Sequence, residues 1–211
     1  MKIQYAVLFL LNEVPEPVGF GTKHKLRGTT METRTGRAAD IPGILSLQER
    51  NIVTKLSEEQ KQNGFVTTPF TEAQLLDLIH IDGLFVVADG GTIVGYTMAA
   101  GWDYFQGRPM FDLMIERFQK LEYKGIPITR ANSFQYGPIC IDQRLRGTPA
   151  FTTLFNYQKA HMRSRFPVGT TFINTVNERS FQAHTRKANL DVIDRFDFNG
   201  NHYYGLAFLT A

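Results

Sequence analysis

The chain has 211 residues, 43% of them apolar, and its 23 Lys and Arg against 20 Asp and Glu leave a net charge of +3. That length and apolar share suffice for the core of one domain, while so small a charge excess predicts neither a nucleic-acid nor a membrane-surface partner. Cys140 is the sole cysteine, which excludes an internal disulfide framework and a cysteine-rich zinc site, suits a reducing compartment such as the cytoplasm, and fits a small buried hydrophobe.

No stretch approaches the roughly 18 consecutive apolar residues of a spanning helix. The apolar run Ile3 to Leu11 follows Lys2, but Gln4 interrupts it and no small-residue cleavage site follows. Pro15, Pro17 and three glycines then occupy a segment without helical or strand period. Such a segment has little to offset the entropy of ordering it. The expected organisation is a leader or flexible extension over 1–30 and one domain over 31–211.

The first strand is expected at Thr33–Arg37. Asp40 then serves as a helix cap, with Pro42 in the first turn and Ile44, Leu45 and Leu47 on the apolar face. Helical spacing returns over Ser57–Lys61 and Thr71–Ile79. Leu84–Ala88 and Thr92–Met98 flank Asp89-Gly90-Gly91, which predicts a tight hairpin. An excursion over Trp102–Ala131 carries an amphipathic helix with Phe111, Met114, Ile115, Phe118 and Leu121. Aromatic residues at helical spacing favour core over ligand contacts. A strand at Ser133–Ile141, a helix over about Pro149–Arg165 and a strand at Thr171–Val176 read as a crossover unit with parallel neighbours. A helix over Glu178–Ala188 precedes strands Asp191–Phe198 and His202–Leu209, joined by Asn199-Gly200-Asn201.

This order of elements from Thr33 to Leu209 resembles the GNAT superfamily of acyl-CoA-dependent N-acetyltransferases. More specific is the stretch Tyr136-Gly-Pro-Ile-Cys-Ile-Asp-Gln-Arg-Leu-Arg-Gly-Thr-Pro-Ala150, similar to that family's central strand, diphosphate-binding loop and helix. Arg146 and Gly147 keep the pattern, whereas Pro149 and Phe151 stand where the family has small residues. A helix start offers unpaired amides and a positive dipole end to a diphosphate. Pro149 removes one such donor, a loss of about 1.5–3 kcal/mol had it bonded a charged oxygen. Asn177 to Leu190 is similar to the family's late helix, with Asn189-Leu190 replacing its terminal Gly-Phe. The tyrosine that commonly stands four residues before that glycine, as acid for the departing thiolate, is Thr185 here.

The resemblance implies an α/β (α+β) fold with a mixed, largely antiparallel central sheet, splayed at its centre and flanked by helices. It implies acetyl-CoA as co-substrate, no metal, and a small-molecule or peptide amine as acceptor. The main chain of Ile139, Cys140 and Ile141 would meet pantetheine. Arg144, Arg146, Gly147, Thr148, Ala150 and Phe151 would surround the diphosphate, and Asn177 would touch cofactor unless it only caps its helix. His184, which titrates near neutrality when unperturbed, and Tyr136 are the catalytic candidates, with Asp142, Asp103 and Tyr104 as further pocket groups. A non-catalytic acyl-CoA-binding module is the alternative, since the motif positions and the tyrosine are altered. Nucleic-acid binding through Arg144, Arg146, Arg163 and Arg165 lacks any recognition motif. A homodimer is compatible with the sequence.

Overall fold

The computed structural model describes residues 22–26, 29–67 and 69–211. Strands β1 (Thr22–Leu26) and β2 (Thr29–Thr35) pair antiparallel, so the described sheet begins upstream of Met31. Residues 1–21, most of the segment expected as a leader, lie outside the described residues. Helices α1 (Ile41–Glu49), the single turn α2 (Glu58–Lys61) and α3 (Glu72–His80) follow. Reciprocal bonds between Ser57 and Gln60, and between Thr71 and Gln74, start α2 and α3. Asp40 does not cap α1 as expected. Its carboxylate is taken by the Arg34 guanidinium, at 2.6 and 2.8 Å, and by the Arg37 amide, and those three donors leave it no reason to face the helix amides.

Strands β3 (Leu84–Asp89) and β4 (Thr92–Gly101) form the expected hairpin, with Gly90 and Gly91 at φ +55 and +85. This left-handed pair is where glycine avoids a Cβ clash. The excursion holds α4 (Pro109–Arg117) and a separate two-stranded hairpin, β5 (Glu122–Tyr123) with β6 (Ile126–Pro127). Strand β7 (Ser133–Ile141), helix α5 (Ala150–Met162), strand β8 (Val168–Asn174), helix α6 (Glu178–Gln182), and strands β9 (Asp191–Phe198) and β10 (Asn201–Leu209) complete the chain. The sheet runs β1-β2-β3-β4-β7-β8-β10-β9, and β7–β8 is its only parallel pair among the described residues.

Alternation along the strands sends side chains to two cores. Val86, Tyr96, Met98 and Ala100 join α1, α3 and α4 on one face, while Phe85, Val87, Phe134 and Phe208 meet Leu154, Phe155 and Met162 of α5 on the other. Burying each such side chain is worth about 1.5–3 kcal/mol. The excursion's Trp102, Phe105, Phe111 and Phe118 are core residues, as the spacing indicated. Gly169 is imposed by packing, since a Cβ there would lie 2.1 Å from the Phe208 ring. Among the described residues no helix is long and apolar enough to cross a membrane.

The last helix departs from expectation. α6 ends at Gln182, and Ala183–Lys187 continue as a π-helical turn closed by the Ala188 amide on the Ala183 carbonyl. Asn189, at φ +55, then stops the helix in the left-handed conformation.

Candidate functional site

Strand β7 builds the site by leaving its neighbour. Its ladder with β8 consists of Ser133–Val168, Phe134–Gly169 and Gln135–Thr170, and beyond Gln135 the strands part. Gly137 takes φ +97, and the register against β4 shifts around Gly137-Pro138, where Pro138 has no N–H to give. Ile139, Cys140 and Ile141 therefore pair with Thr97, Tyr96 and Gly95 of β4 alone. Their other edge faces a gap and pairs with no strand, the Arg146 guanidinium alone reaching the Ile141 carbonyl at 3.3 Å, and a strand edge without a strand partner is a template for an extended ligand carrying amides.

A cavity of about 390 Å³ fills this gap, bordered by Ile139–Ile141, by Arg146, Gly147 and Phe151, by the α6 side, and by the Asn63–Val66 segment. A second chamber of about 80 Å³ lies deeper in the splay, between Gly137–Ile139 and Thr171–Asn174, and includes Phe65, Asn177 and Tyr203. Both chambers are bordered by Phe65, Val66, Ile139, Ser180 and His184.

The loop that resembles a diphosphate cradle is largely occupied with itself. The Leu145, Arg146 and Thr148 amides bond Asp142, Gln143 and Leu145 carbonyls, and the Ala150 amide bonds the Thr148 hydroxyl oxygen at 3.3 Å. Among the described residues, the amides of Gly147 and Phe151, two residues that border the cavity, have no partner. Thr148 turns its hydroxyl onto the Leu145 carbonyl, and Ala150 is buried under the sheet, so neither borders the cavity. Arg144 points outward and clasps Asp142, whose carboxyl it holds below the usual range, and Arg50 adds a contact at 3.6 Å. Arg146 does face the cavity. It also ties the loop down by donating to the Ile141 and Asn63 carbonyls and to Asn51 Oδ1, the last two at 2.5 Å. Burial among these neutral acceptors lowers its pKa, with Arg179 adding like-charge repulsion.

The opposite wall carries charge that sequence reasoning missed. Arg179, Arg186 and Lys187 border the cavity, and among the described residues neither they nor Arg146 enters an ion pair. The spacing Arg179, Ala183, Arg186 was a usable signal, because residues four and seven along share one helix face. Asn177 caps α6 by accepting the Ser180 amide, and it also donates to the Phe65 carbonyl at 3.2 Å, pinning α6 to the segment before α3.

His184 is at the cleft, and the π turn is the reason. Counting back four residues from Asn189 in an α-helix reaches Thr185, whereas a π turn takes one extra residue and brings His184 to that side. Thr185 spends its hydroxyl on the Phe181 carbonyl instead. His184 is 4% exposed, with Phe151 and Tyr136 rings at 5.2 and 5.6 Å, and burial pushes its pKa down to about 4. Its Nδ1 lies 2.7 Å from the Ser180 carbonyl oxygen. A carbonyl can only accept, so Nδ1 carries the hydrogen and Nε2 a lone pair. At neutral pH this imidazole has no acidic proton to give a thiolate.

Tyr136 is wholly buried between Phe155, Phe208 and His184, with its hydroxyl unpartnered and its pKa raised by burial. It borders neither chamber, because its place in the β7 alternation turns it to the α5 core. Cys140 is buried toward Tyr96 with its thiol pushed up to about 12, so it meets the cleft as backbone and an unreactive wall. Asp103 and Tyr104 lie in the excursion, bound to Arg130 and the Gln74 carbonyl, away from either chamber. No cluster of potential metal ligands occurs among the described residues.

No protein-family model matches this sequence, and no curated protein matches it. Solved structures do resemble the fold. The GNAT domain of S. lividans PAT aligns with a TM-score of 0.59 and 16% identity over 90% of this chain and 96% of its own. An N-acetyltransferase from Staphylococcus aureus Mu50 gives 0.58 and 14% over 86% and 99%. The yncA protein of Salmonella typhimurium, determined with its cofactor acetyl-CoA, gives 0.56 and 12% over 86% and 94%. The chain thus has the GNAT N-acetyltransferase fold.

Proposed function

We propose that the protein transfers an acetyl group from acetyl-CoA to an amine of a small molecule or peptide. The observation that carries this reading is the splay itself. The edge of Ile139–Ile141 that no strand pairs opens on a cavity bordered at one end by Gly147 and Phe151, whose amides have no partner among the described residues, and these suit the amides of a pantetheine arm and the oxyanions of a phosphorylated carrier. A thioester supplies an acyl carbon open to attack. The amine nitrogen bonds that carbon, the carbon–sulfur bond breaks, and the nitrogen's surplus proton leaves to solvent or to the thiolate. The small chamber receives the acceptor in this account, with Phe65, Phe172 and Tyr203 as its aromatic sides. His184 serves as a neutral hydrogen-bond acceptor through Nε2 that positions a reactant, in place of the acid role suggested by its counterpart in the resemblance. The reading calls for no metal, nucleic acid or membrane partner, fits a cytoplasmic enzyme, and is compatible with a homodimer.

One observation favours the alternative, a module that binds acyl-CoA without turnover: His184 is held neutral and Tyr136 is withdrawn into the core. Release of free thiol from acetyl-CoA across a panel of amines separates the two. Amine-dependent thiol release supports the enzyme. CoA binding with no release for any amine supports the module, and no CoA binding at millimolar concentration defeats both.

A further inference from the structure

The α6 wall raises a question that the loop cannot answer. With the Leu145, Arg146, Thr148 and Ala150 amides engaged in turns and Pro149 lacking one, the helix-start side offers few donors to an anion. Three cations face it across the same cavity. Arg179 lies on the first turn of α6, its stem beside Gly64 at a distance where a Cβ on that glycine would make an ordinary 3.8 Å contact with Arg179 Cδ. Arg186 and Lys187 come from the π turn. Arg179 lies within repulsive range of the half-buried Arg146, neither of them enters an ion pair among the described residues, and an anion seated in the cavity would reverse the cost of that repulsion.

Resting on the acetyl-CoA reading above, we infer that Arg179, Arg186 and Lys187 form the principal phosphate-binding surface of this protein and grip the phosphorylated end of CoA from the α6 side. The π turn contributes to this surface by seating Arg186 and Lys187 beside the cavity while it turns His184 inward. Guanidinium and ammonium groups bind phosphoryl oxygens by charge-assisted hydrogen bonds, so the grip does not need the amides that the loop has lost. The oxyanion could be the diphosphate or the ribose 3′-phosphate, which share this chemistry.

Calorimetric titration of CoA, 3′-dephospho-CoA and pantetheine against the full chain, Arg179→Gln and an Arg186→Gln/Lys187→Gln pair tests the inference. Arg163→Gln, an exposed cation on another face, controls for net charge. Each α6 variant should bind CoA about tenfold more weakly or worse and show a shallower loss of affinity between about 0.05 and 0.2 M salt, with pantetheine affinity unchanged. If 3′-dephospho-CoA is still weakened by the substitutions, the diphosphate is the anion held; if it binds all proteins alike, the 3′-phosphate is. Variants that bind CoA within about twofold of the unsubstituted chain, a ratio worth only ~0.4 kcal/mol, overturn the inference while leaving the cofactor reading standing. Absence of CoA binding by the unsubstituted chain instead defeats the cofactor reading itself.

Discussion

The two walls of the cleft solve one problem differently. The wall from β7 to α5 is made of backbone: a strand edge freed by the parting of β7 from β8, then a glycine turn and a helix start. The α6 wall is made of side chains, three cations without an ion-pair partner among the described residues and a buried neutral histidine, set by a π turn. A backbone wall is fixed by topology and tolerates substitutions such as Pro149 and Phe151 with partial loss. A side-chain wall depends on helix phase, where one residue more or less turns His184 inward and Thr185 away.

The largest expected effect lies on the α6 wall. His184 has a folded pKa of about 4, below the ~6.5 of an unfolded histidine. The unfolded chain therefore binds the extra proton first, and stability present above about pH 6.5 is lost as pH falls toward about 4, on the order of 3 kcal/mol in all. Urea unfolding of the wild type and His184→Gln across this window should show the variant lacking that share of the slope. Parallel slopes would mean that His184 titrates in the fold as it does in the unfolded chain, so that burial does not hold it neutral.

On the backbone wall, Arg146→Ala should cost about 2 kcal/mol, because it frees the Asn51, Asn63 and Ile141 acceptors together. The thermal midpoint should drop by roughly 4–8 °C in a domain of this size. Arg146→Lys should recover little, since an ammonium cannot span acceptors held by a planar fork. An unchanged midpoint would show that the loop is anchored otherwise. Pro149→Ala restores an amide to the helix start and should tighten CoA binding by up to about tenfold; weaker binding in a stable variant would show that this amide faces away from the ligand. Smallest of all, Thr185→Ala should change stability by less than about 0.5 kcal/mol and leave turnover untouched. A large loss of turnover would return the catalytic side of the helix to Thr185.

The difference between the walls is also a difference in legibility. The glycine-pair hairpin, the α5 apolar face and the β7–β8 crossover pair follow from periodicity and turn chemistry, which are local. The splay at the sheet's centre and the open main chain of Ile139–Ile141 were legible only through the resemblance to the GNAT superfamily, because no local pattern marks where β7 leaves β8. Arg144, Thr148, Ala150 and Tyr136 stand in the stretch that carries the resemblance, but none of them borders either chamber. Asp142 draws Arg144 outward, the turn consumes the Thr148 and Ala150 groups, and strand alternation buries Tyr136. The π turn leaves no mark in composition or propensity, as its extra residue is held by tertiary packing around His184. That is why an α-helical count back from Asn189 reaches Thr185 in place of His184.

Hydrogen exchange measured with and without saturating CoA tests the central claim, that one ligand is held between a backbone wall and a cationic α6 wall. Slowed exchange is expected in both peptides spanning 139–151 and 178–188, with no change in α3 or the β5–β6 hairpin. Protection confined to 139–151 would contradict the α6 half, and protection in neither segment, with CoA bound, would contradict the cleft as the ligand site.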